Sequence, residues 1–171
     1  MKEFQDEFFV RHALILDTFQ ETGPGDLFEE AVSIAASFVC TVPTRESLLD
    51  LMFVGTKSYC FTSGRGIGGE DRMLEILGSV RTCTDQPFSQ LPPLVFQRAG
   101  FLSGCICIFL SWNQERMDFI DRLKSMGIPL MVLVVVWNKE AGPIDPGPMA
   151  GDPHRFHALE VGKIREGLAQ I

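Results

Sequence analysis

The sequence predicts an α/β fold: a Rossmann-like, three-layer domain around a mostly parallel, doubly wound sheet with one antiparallel edge strand. Short apolar segments alternate along the chain with longer segments whose apolar residues recur at helical spacing. The first apolar segment ends in a carboxylate, Asp17, where ligands usually bind in open α/β sheets. A short break at 55–57 separates two strand-like segments and predicts a hairpin, which supplies the antiparallel strand.

Strands are predicted where apolar or alternating residues occur in short runs between turn signals. They cover about 12–17, 48–54, 58–62, 105–110 and 130–136. The last of these is continuously apolar, which is typical of the centre of a parallel sheet. Each large aliphatic side chain buried there stabilises the fold by about 1.5–3 kcal/mol. Cys105 and Cys107 alternate along their strand, so their side chains are expected on one face.

Helices are predicted where apolar residues recur every three or four positions. They begin near Asp26, after the glycine-rich loop 64–69, at Pro92-Pro93 and at Gln114, and a last helix is expected over 154–169. Asp26 is expected to cap the first helix, with Glu29 completing a capping box. The segment 138–153 contains four prolines and three glycines and is expected to be a loop.

Composition limits the function classes. A length of 171 residues suits one ordinary domain, so 1–171 is predicted to be a single domain. Fifteen basic against 22 acidic residues give a net charge of −7, which argues against a nucleic-acid partner. The longest apolar run, 128–137, is too short for a membrane span. We therefore expect a cytoplasmic domain whose five cysteines are reduced.

The Asp-ended first strand, the hairpin and the later strand–helix units resemble a von Willebrand factor A-like domain. The segments DLFEEAVSIAAS, LLDLMFVG and LKSMGIPLMVLVV are more specifically similar to the bacterial domain of unknown function fifty-eight family. This resemblance implies that the chain is the C-terminal portion of a longer protein anchored in the inner membrane. It also implies a protein partner, a MoxR-type AAA+ ATPase.

The metal site of A-domains uses a D-x-S-x-S motif, a threonine from a second loop and an aspartate from a third. Asp17 matches the first motif position, but Phe19 and Glu21 replace the two serines. Thr84, or alternatively Thr82, would stand in for the threonine, while the third loop at 111–113 offers no carboxylate. The resemblance therefore implies a degenerate metal-ion-dependent adhesion site.

Two interpretations of this site stay open. In one, Asp17 accepts backbone N–H bonds from the next loop, and the protein needs no cofactor. In the other, Asp17, Glu21, Thr84 and Asp85 together offer oxygen ligands to Mg²⁺ or another divalent ion. The second arrangement would make the chain a metal-dependent enzyme or a metal-switched binder.

The first interpretation predicts a non-catalytic protein–protein interaction module. A-domains bind partners across the rim formed by the loops that follow the strands. The residues predicted on this rim are Phe19, Glu21, Arg65, Phe88, Trp112 and Asn113. Exposed aromatic side chains beside charges are typical of contact surfaces. Phe88 and Trp112 equally suit packing against neighbouring helices, and Phe19 is also well placed to plug the crevice at the strand ends.

Two further motifs receive a structural interpretation. Residues 64–69 satisfy G-x-G-x-x-G, but they follow a hairpin strand rather than the first strand of a βαβ unit, so a flexible turn is favoured over nucleotide binding. His154, His157 and Glu160 have helical spacing within the last predicted helix. A solvated helix face is favoured there over a metal site.

Overall fold

The computed structural model describes residues 10–20, 23, 25–42, 47–64 and 69–171. Its strands are β1 (Val10–Leu16), β2 (Ser47–Val54), β3 (Ser58–Ser63), β4 (Gly104–Phe109), β5 (Leu130–Val136) and β6 (Phe156–Glu160). They form one sheet in the order β3-β2-β1-β4-β5-β6. The β2–β3 pair is antiparallel and the other four pairs are parallel. The predicted fold class, with its antiparallel edge strand, is confirmed.

Five helices connect and cover the strands. They are α1 (Asp26–Thr41), α2 (Gly69–Ser79), α3 (Leu91–Phe96), α4 (Gln114–Ser125) and α5 (Ile164–Leu168). The segment 138–155 carries three short 3₁₀ turns between irregular stretches, in agreement with the predicted loop. None of the helices in the described part of the chain has the length and hydropathy of a membrane span.

The sheet separates two apolar cores, and β1 contributes to both because successive strand side chains point to opposite faces. Ala13 and Ile15 lie in the core beneath α3 and α4, whereas Leu14 and Leu16 lie in the core beneath α1 and α2. Complete burial on both faces explains why the central strands are apolar runs. Cys105 and Cys107 lie in the same core, so the prediction that they share a face is confirmed.

The predicted helix over 154–169 is wrong. Phe156–Glu160 pairs instead with β5 as a sixth, parallel strand, and a five-residue helix follows it. Phe156 packs against one core and Leu159 lies in the other, which is strand alternation rather than a helical stripe. Gly162, with φ of +80°, then turns the chain out of the strand. His154, His157 and Glu160 therefore do not share a helix face.

The predicted cap of α1 is also wrong. Gly25 occupies the N-cap position, and no side chain makes a capping hydrogen bond there. Asp26 is the first helical residue, where its carboxylate still interacts favourably with the positive end of the helix. Most of the G-x-G-x-x-G segment, 65–68, lies outside the described residues.

Candidate functional site

Asp17 directly follows β1 and is completely buried. Its backbone N–H donates to the Ile108 carbonyl of β4 at 2.9 Å, so the chain is still attached to the neighbouring strand at this point. The next residue, Thr18, is also buried, and its hydroxyl donates to the Val54 carbonyl at the end of β2. Hydrogen bonds thus join the ends of β1, β2 and β4 beside the carboxylate.

Four N–H groups donate to the two oxygens of the Asp17 carboxylate. Oδ1 accepts from the Phe19 backbone at 3.0 Å and from Nη2 of Arg116 at 3.2 Å. Oδ2 accepts from the Leu110 backbone at 3.1 Å and from Nε of Arg116 at 2.9 Å. The contact with Arg116 is therefore a bidentate ion pair, the strongest form of charge-assisted hydrogen bonding between side chains. Burial raises the pKa of Asp17, and the Arg116 guanidinium and the backbone donors oppose that shift.

Arg116 reaches this carboxylate from the first turn of α4. Asn113 caps the helix, because its Oδ1 accepts the Arg116 backbone N–H at 3.2 Å and Nη1 of the same residue at 3.3 Å. Nη2 also donates to the Phe19 carbonyl at 3.3 Å, and the guanidinium carbon lies 4.4 Å from the centre of the Phe88 ring. The Arg116 side chain is 4% exposed, so this cation is held inside the protein.

Arg116 belongs to none of the motifs in the sequence. A usable signal exists in its position, since a basic residue in the first turn of a helix faces the positive end of the helix dipole. Such a residue needs an anionic partner nearby, and the α4 N-terminus follows the strand that neighbours β1. This reasoning points to Asp17 as the partner.

Two of the aromatic residues predicted on the rim are buried instead. Phe19 is 7% exposed and Phe88 is 5% exposed, and their rings pack edge to face at 5.6 Å. Phe88 also contacts the rings of Phe109 and Phe119. These side chains fill the crevice at the strand ends rather than presenting a surface there, so their exposure was wrongly predicted. The alternatives are correct: Phe19 plugs the crevice, and Phe88 packs against a neighbouring helix through Phe119 of α4.

The other predicted rim residues differ in their surroundings. Trp112 is half-buried between the rings of Phe109 and Phe156, and its indole N–H donates to the Asp145 carbonyl at 2.8 Å. Asn113 is exposed but acts as the cap of α4. Glu21 and Arg65 lie outside the described residues.

Thr84 and Asp85 are exposed, and the Thr84 hydroxyl donates to Oδ1 of Asp85 at 3.3 Å. They line an open cleft of about 500 Å³ that also touches Phe19, Arg116 and Glu115. Asp17 lies below this cleft and does not line it. Among the described residues, no three His, Cys, Asp or Glu side chains are grouped as metal ligands. The structure therefore places Thr84 and Asp85 on the cleft, whereas the groups that contact the Asp17 carboxylate are Phe19, Leu110 and Arg116.

Comparison with known proteins identifies the fold. No family model matches the sequence, and no curated protein matches it. The fold is similar to that of the manganese-loaded TRAP protein of Plasmodium vivax, with 10% identity and a TM-score of 0.65 over 96% of this chain and 72% of that one. It is similar also to the conserved hypothetical protein BatB of Bacteroides thetaiotaomicron, with 12% identity and a TM-score of 0.63 over 94% and 95% of the two chains.

A third similar structure is an aerotolerance-related membrane protein of Bacteroides fragilis, solved with multiple mutations to serines. It has 10% identity and a TM-score of 0.57 over 94% of this chain and 96% of that one. Together with the six-stranded sheet and its antiparallel edge, these likenesses show a von Willebrand factor A-like α/β fold. At such identities they show the fold alone.

Proposed function

We propose that this chain is a non-catalytic protein-interaction module whose metal-ion-dependent adhesion site is degenerate and works without a metal. The observation that supports this is the ion pair of Asp17 with Arg116. The guanidinium provides the positive charge at the strand ends that a bound cation provides in A-domains with the complete motif. It also ties α4 to β1, which gives the loops around the cleft a fixed geometry.

The donor set around Asp17 does not suit a divalent ion. Both carboxylate oxygens already accept N–H bonds, and two of the four donors belong to a cation that would repel a second one. Mg²⁺ requires near-octahedral coordination by oxygen, whereas Phe19 stands where the motif has its first serine. Thr84 and Asp85 line the open cleft, and the buried Asp17 carboxylate does not.

The surface above this ion pair is the candidate contact region. The cleft exposes the carboxylates of Asp85 and Glu115 together with Thr84. Two exposed carboxylates on a protein of net charge −7 favour a basic partner surface. None of the described histidines lines the cleft, so the usual general base is not present there.

The finer proposal rests on the resemblance of the sequence to the bacterial domain of unknown function fifty-eight family. We infer that the chain belongs to a longer, membrane-anchored protein and that its partner is a MoxR-type AAA+ ATPase. The likeness to the Bacteroides fragilis protein, which is described as an aerotolerance-related membrane protein, supports membrane association of the whole protein. The domain itself would then work on the cytoplasmic side.

The metal-free proposal is tested by titration calorimetry with Mg²⁺, Mn²⁺ and Ca²⁺. The wild-type protein should give no saturable heat with any of the three ions. Saturable binding that disappears in Asp17→Ala would overturn the proposal. Binding that survives in Asp17→Ala but disappears in Asp85→Ala would instead place a metal in the open cleft and would equally contradict it.

The partner proposal is tested with a purified MoxR-type ATPase from the native cell, by biolayer interferometry. Binding should be unchanged by EDTA and should weaken at least about tenfold in the double variant Asp85→Lys, Glu115→Lys, because both charges face the cleft. The matched control is Glu166→Lys, an exposed charge reversal on α5. An equal loss of affinity in Glu166→Lys would mean that the net charge of the protein, rather than the cleft, determines binding.

A further inference from the structure

The strand β3 forms one edge of the sheet and pairs with β2 on one side. The Gly55 N–H donates to the Lys57 carbonyl across the hairpin, and the ladder bonds alternate from that pair. Tyr59 and Phe61 therefore direct their backbone groups toward β2. Cys60 and Thr62 direct their N–H and C=O groups outward, where no described strand lies.

The described residues of β3 carry none of the side chains or bulges that usually prevent an edge strand from pairing with another chain. Natural edge strands are blunted by charged side chains, prolines or bulges. The sequence of β3, SYCFTS, contains neither a charge nor a proline, and its register with β2 runs without a bulge over all six positions. At the opposite edge, β6 carries His157 and Glu160, and Glu160 forms an ion pair with Lys163 at 3.0 Å. The β6 edge therefore carries a charged side chain, whereas β3 carries none.

A groove of about 480 Å³ lies beside β3. Tyr59, Cys60 and Phe61 of β3 line it, together with Phe53 of β2 and the hairpin turn at 55–56. Arg72, Ile76 and Ser79 form the opposite wall. Their spacing of four and three residues places them on one face of α2. An edge strand beside a helix is the geometry in which extended peptides add to a sheet, with main-chain bonds to the strand and side-chain contacts to the groove.

The charges around this groove are mainly positive, although the protein is acidic. Arg72 and Arg81 line it and are exposed, and Nζ of Lys57 lies 5.5 Å from the centre of the Tyr59 ring. The bond between Arg72 and Glu75, at 3.1 Å, is a solvent-exposed pair of little energetic weight. Asp85 is the one carboxylate among the described residues that line the groove.

We propose that this groove binds an extended acidic segment of a partner protein, which adds to β3 as a seventh strand. The outward backbone groups of Cys60 and Thr62 would pair with the segment, and Arg72 and Arg81 would meet its carboxylates. A second copy of this chain fits less well, because two β3 edges in contact would bring the same cations together. The surface adjoins the cleft at Thr84 and Asp85 but does not depend on the Asp17–Arg116 ion pair.

The probe is a fluorescein-labelled heptapeptide of alternating Glu and Val, compared with its Lys-Val counterpart by fluorescence anisotropy. The acidic peptide should bind at least about tenfold more tightly than the basic one. Cys60→Pro should abolish binding, because it removes an outward N–H while sparing the β2 ladder. Cys60→Val retains that N–H and should bind like wild type.

If circular dichroism shows that Cys60→Pro does not fold, a second pair of variants tests the proposal. Arg72→Glu with Arg81→Glu should reduce binding at least about tenfold, whereas Arg165→Glu, an exposed reversal on α5, should not. Equal binding of both peptides, or binding unchanged in the double reversal, would overturn the proposal. Dimerisation in sedimentation velocity that is lost in the double reversal would assign the edge to a second copy instead. The outcome is independent of whether a metal binds near Asp17.

Discussion

Nε of Arg116 lies 2.9 Å from Oδ2 of Asp17, although 99 residues separate them along the chain. Both side chains are buried, at 4% and 0% exposure. A buried ion pair of this kind does not by itself prove high stability, since both groups lose their hydration. Removal of either side chain, however, leaves the other as a buried charge without its partner. The pair therefore fixes where α4 begins relative to the end of β1.

Arg116→Met should lower the free energy of unfolding by about 3–5 kcal/mol, because it leaves the Asp17 carboxylate buried without its counter-charge. Urea denaturation measures this loss. The matched control is Arg122→Met on the same helix, where the exposed guanidinium lies 4.2 Å from the centre of the Phe96 ring. The control should cost less than about 1 kcal/mol.

A double-mutant cycle measures the coupling free energy between Asp17 and Arg116. Asp17→Asn with Arg116→Met should be less destabilised than the sum of the two single variants, because no charge then remains uncompensated. Additive losses would show that the two side chains act independently, in contradiction to the ion pair.

Phe88→Ala should destabilise the protein by about 3–5 kcal/mol, as expected for a buried aromatic side chain. The cause is the loss of ring contacts with Phe19 and Phe119 and of the cover over the Arg116 guanidinium. Thermal unfolding of the purified variant checks this. Phe101→Ala is the control, because that ring is 72% exposed and its removal should change stability by less than about 0.5 kcal/mol. Similar melting temperatures for the two variants would mean that Phe88 is not part of the core.

The sequence allowed the hairpin, β4, α4 and β5 to be predicted because their signals are local. The apolar run 130–136 and the helical spacing of 114–125 each lie within one element. The partner of Asp17 could not be found in that way, since the contact joins two distant segments through tertiary packing. Phe19 illustrates a second limit, because a loop aromatic residue looks the same in sequence whether it fills a crevice or lies on a rim.

The error at β6 has a different physical cause. The spacing of His154, His157 and Glu160 suits a helix, but pairing with β5 gives this segment backbone hydrogen bonds and buries Leu159. Tertiary pairing therefore prevails over a local pattern. The decisive signal in the sequence is Gly162, which suits a turn and weakens a helix interior.

The buried thiols should make stability depend on alkaline pH. Burial raises the pKa of Cys105 from 9.0 to about 12. The folded state therefore holds this proton while the unfolded state releases it, so the stabilisation is complete below pH 9.0 and is lost progressively as pH rises toward 12. At a pH of about 10 the loss from this one thiol is about 1.4 kcal/mol.

Urea midpoints of wild type and Cys105→Val, compared at a pH of about 8 and about 10, isolate this contribution. Wild type should lose more stability than the variant between the two pH values, because the variant has no Cys105 thiol to release a proton in the unfolded state. Equal losses would contradict a raised pKa for Cys105.

Substitutions of two glycines distinguish a strand and turn at the C-terminus from the continuous helix that the local pattern predicts. Gly162 has φ of +80°, so Gly162→Ala should destabilise the protein by roughly 1–2 kcal/mol. Gly78 lies within α2, and a Cβ added there meets no atom within 4 Å, so Gly78→Ala should stabilise the protein by roughly 0.5–1 kcal/mol. A Cβ at Gly162 likewise meets nothing within 4 Å, which leaves the backbone conformation as the difference between the two sites. Urea denaturation should therefore give a lower free energy of unfolding than wild type for Gly162→Ala and a higher one for Gly78→Ala. Stabilisation by both substitutions would favour a helix through 162 and would remove the basis for β6 as the end of the sheet.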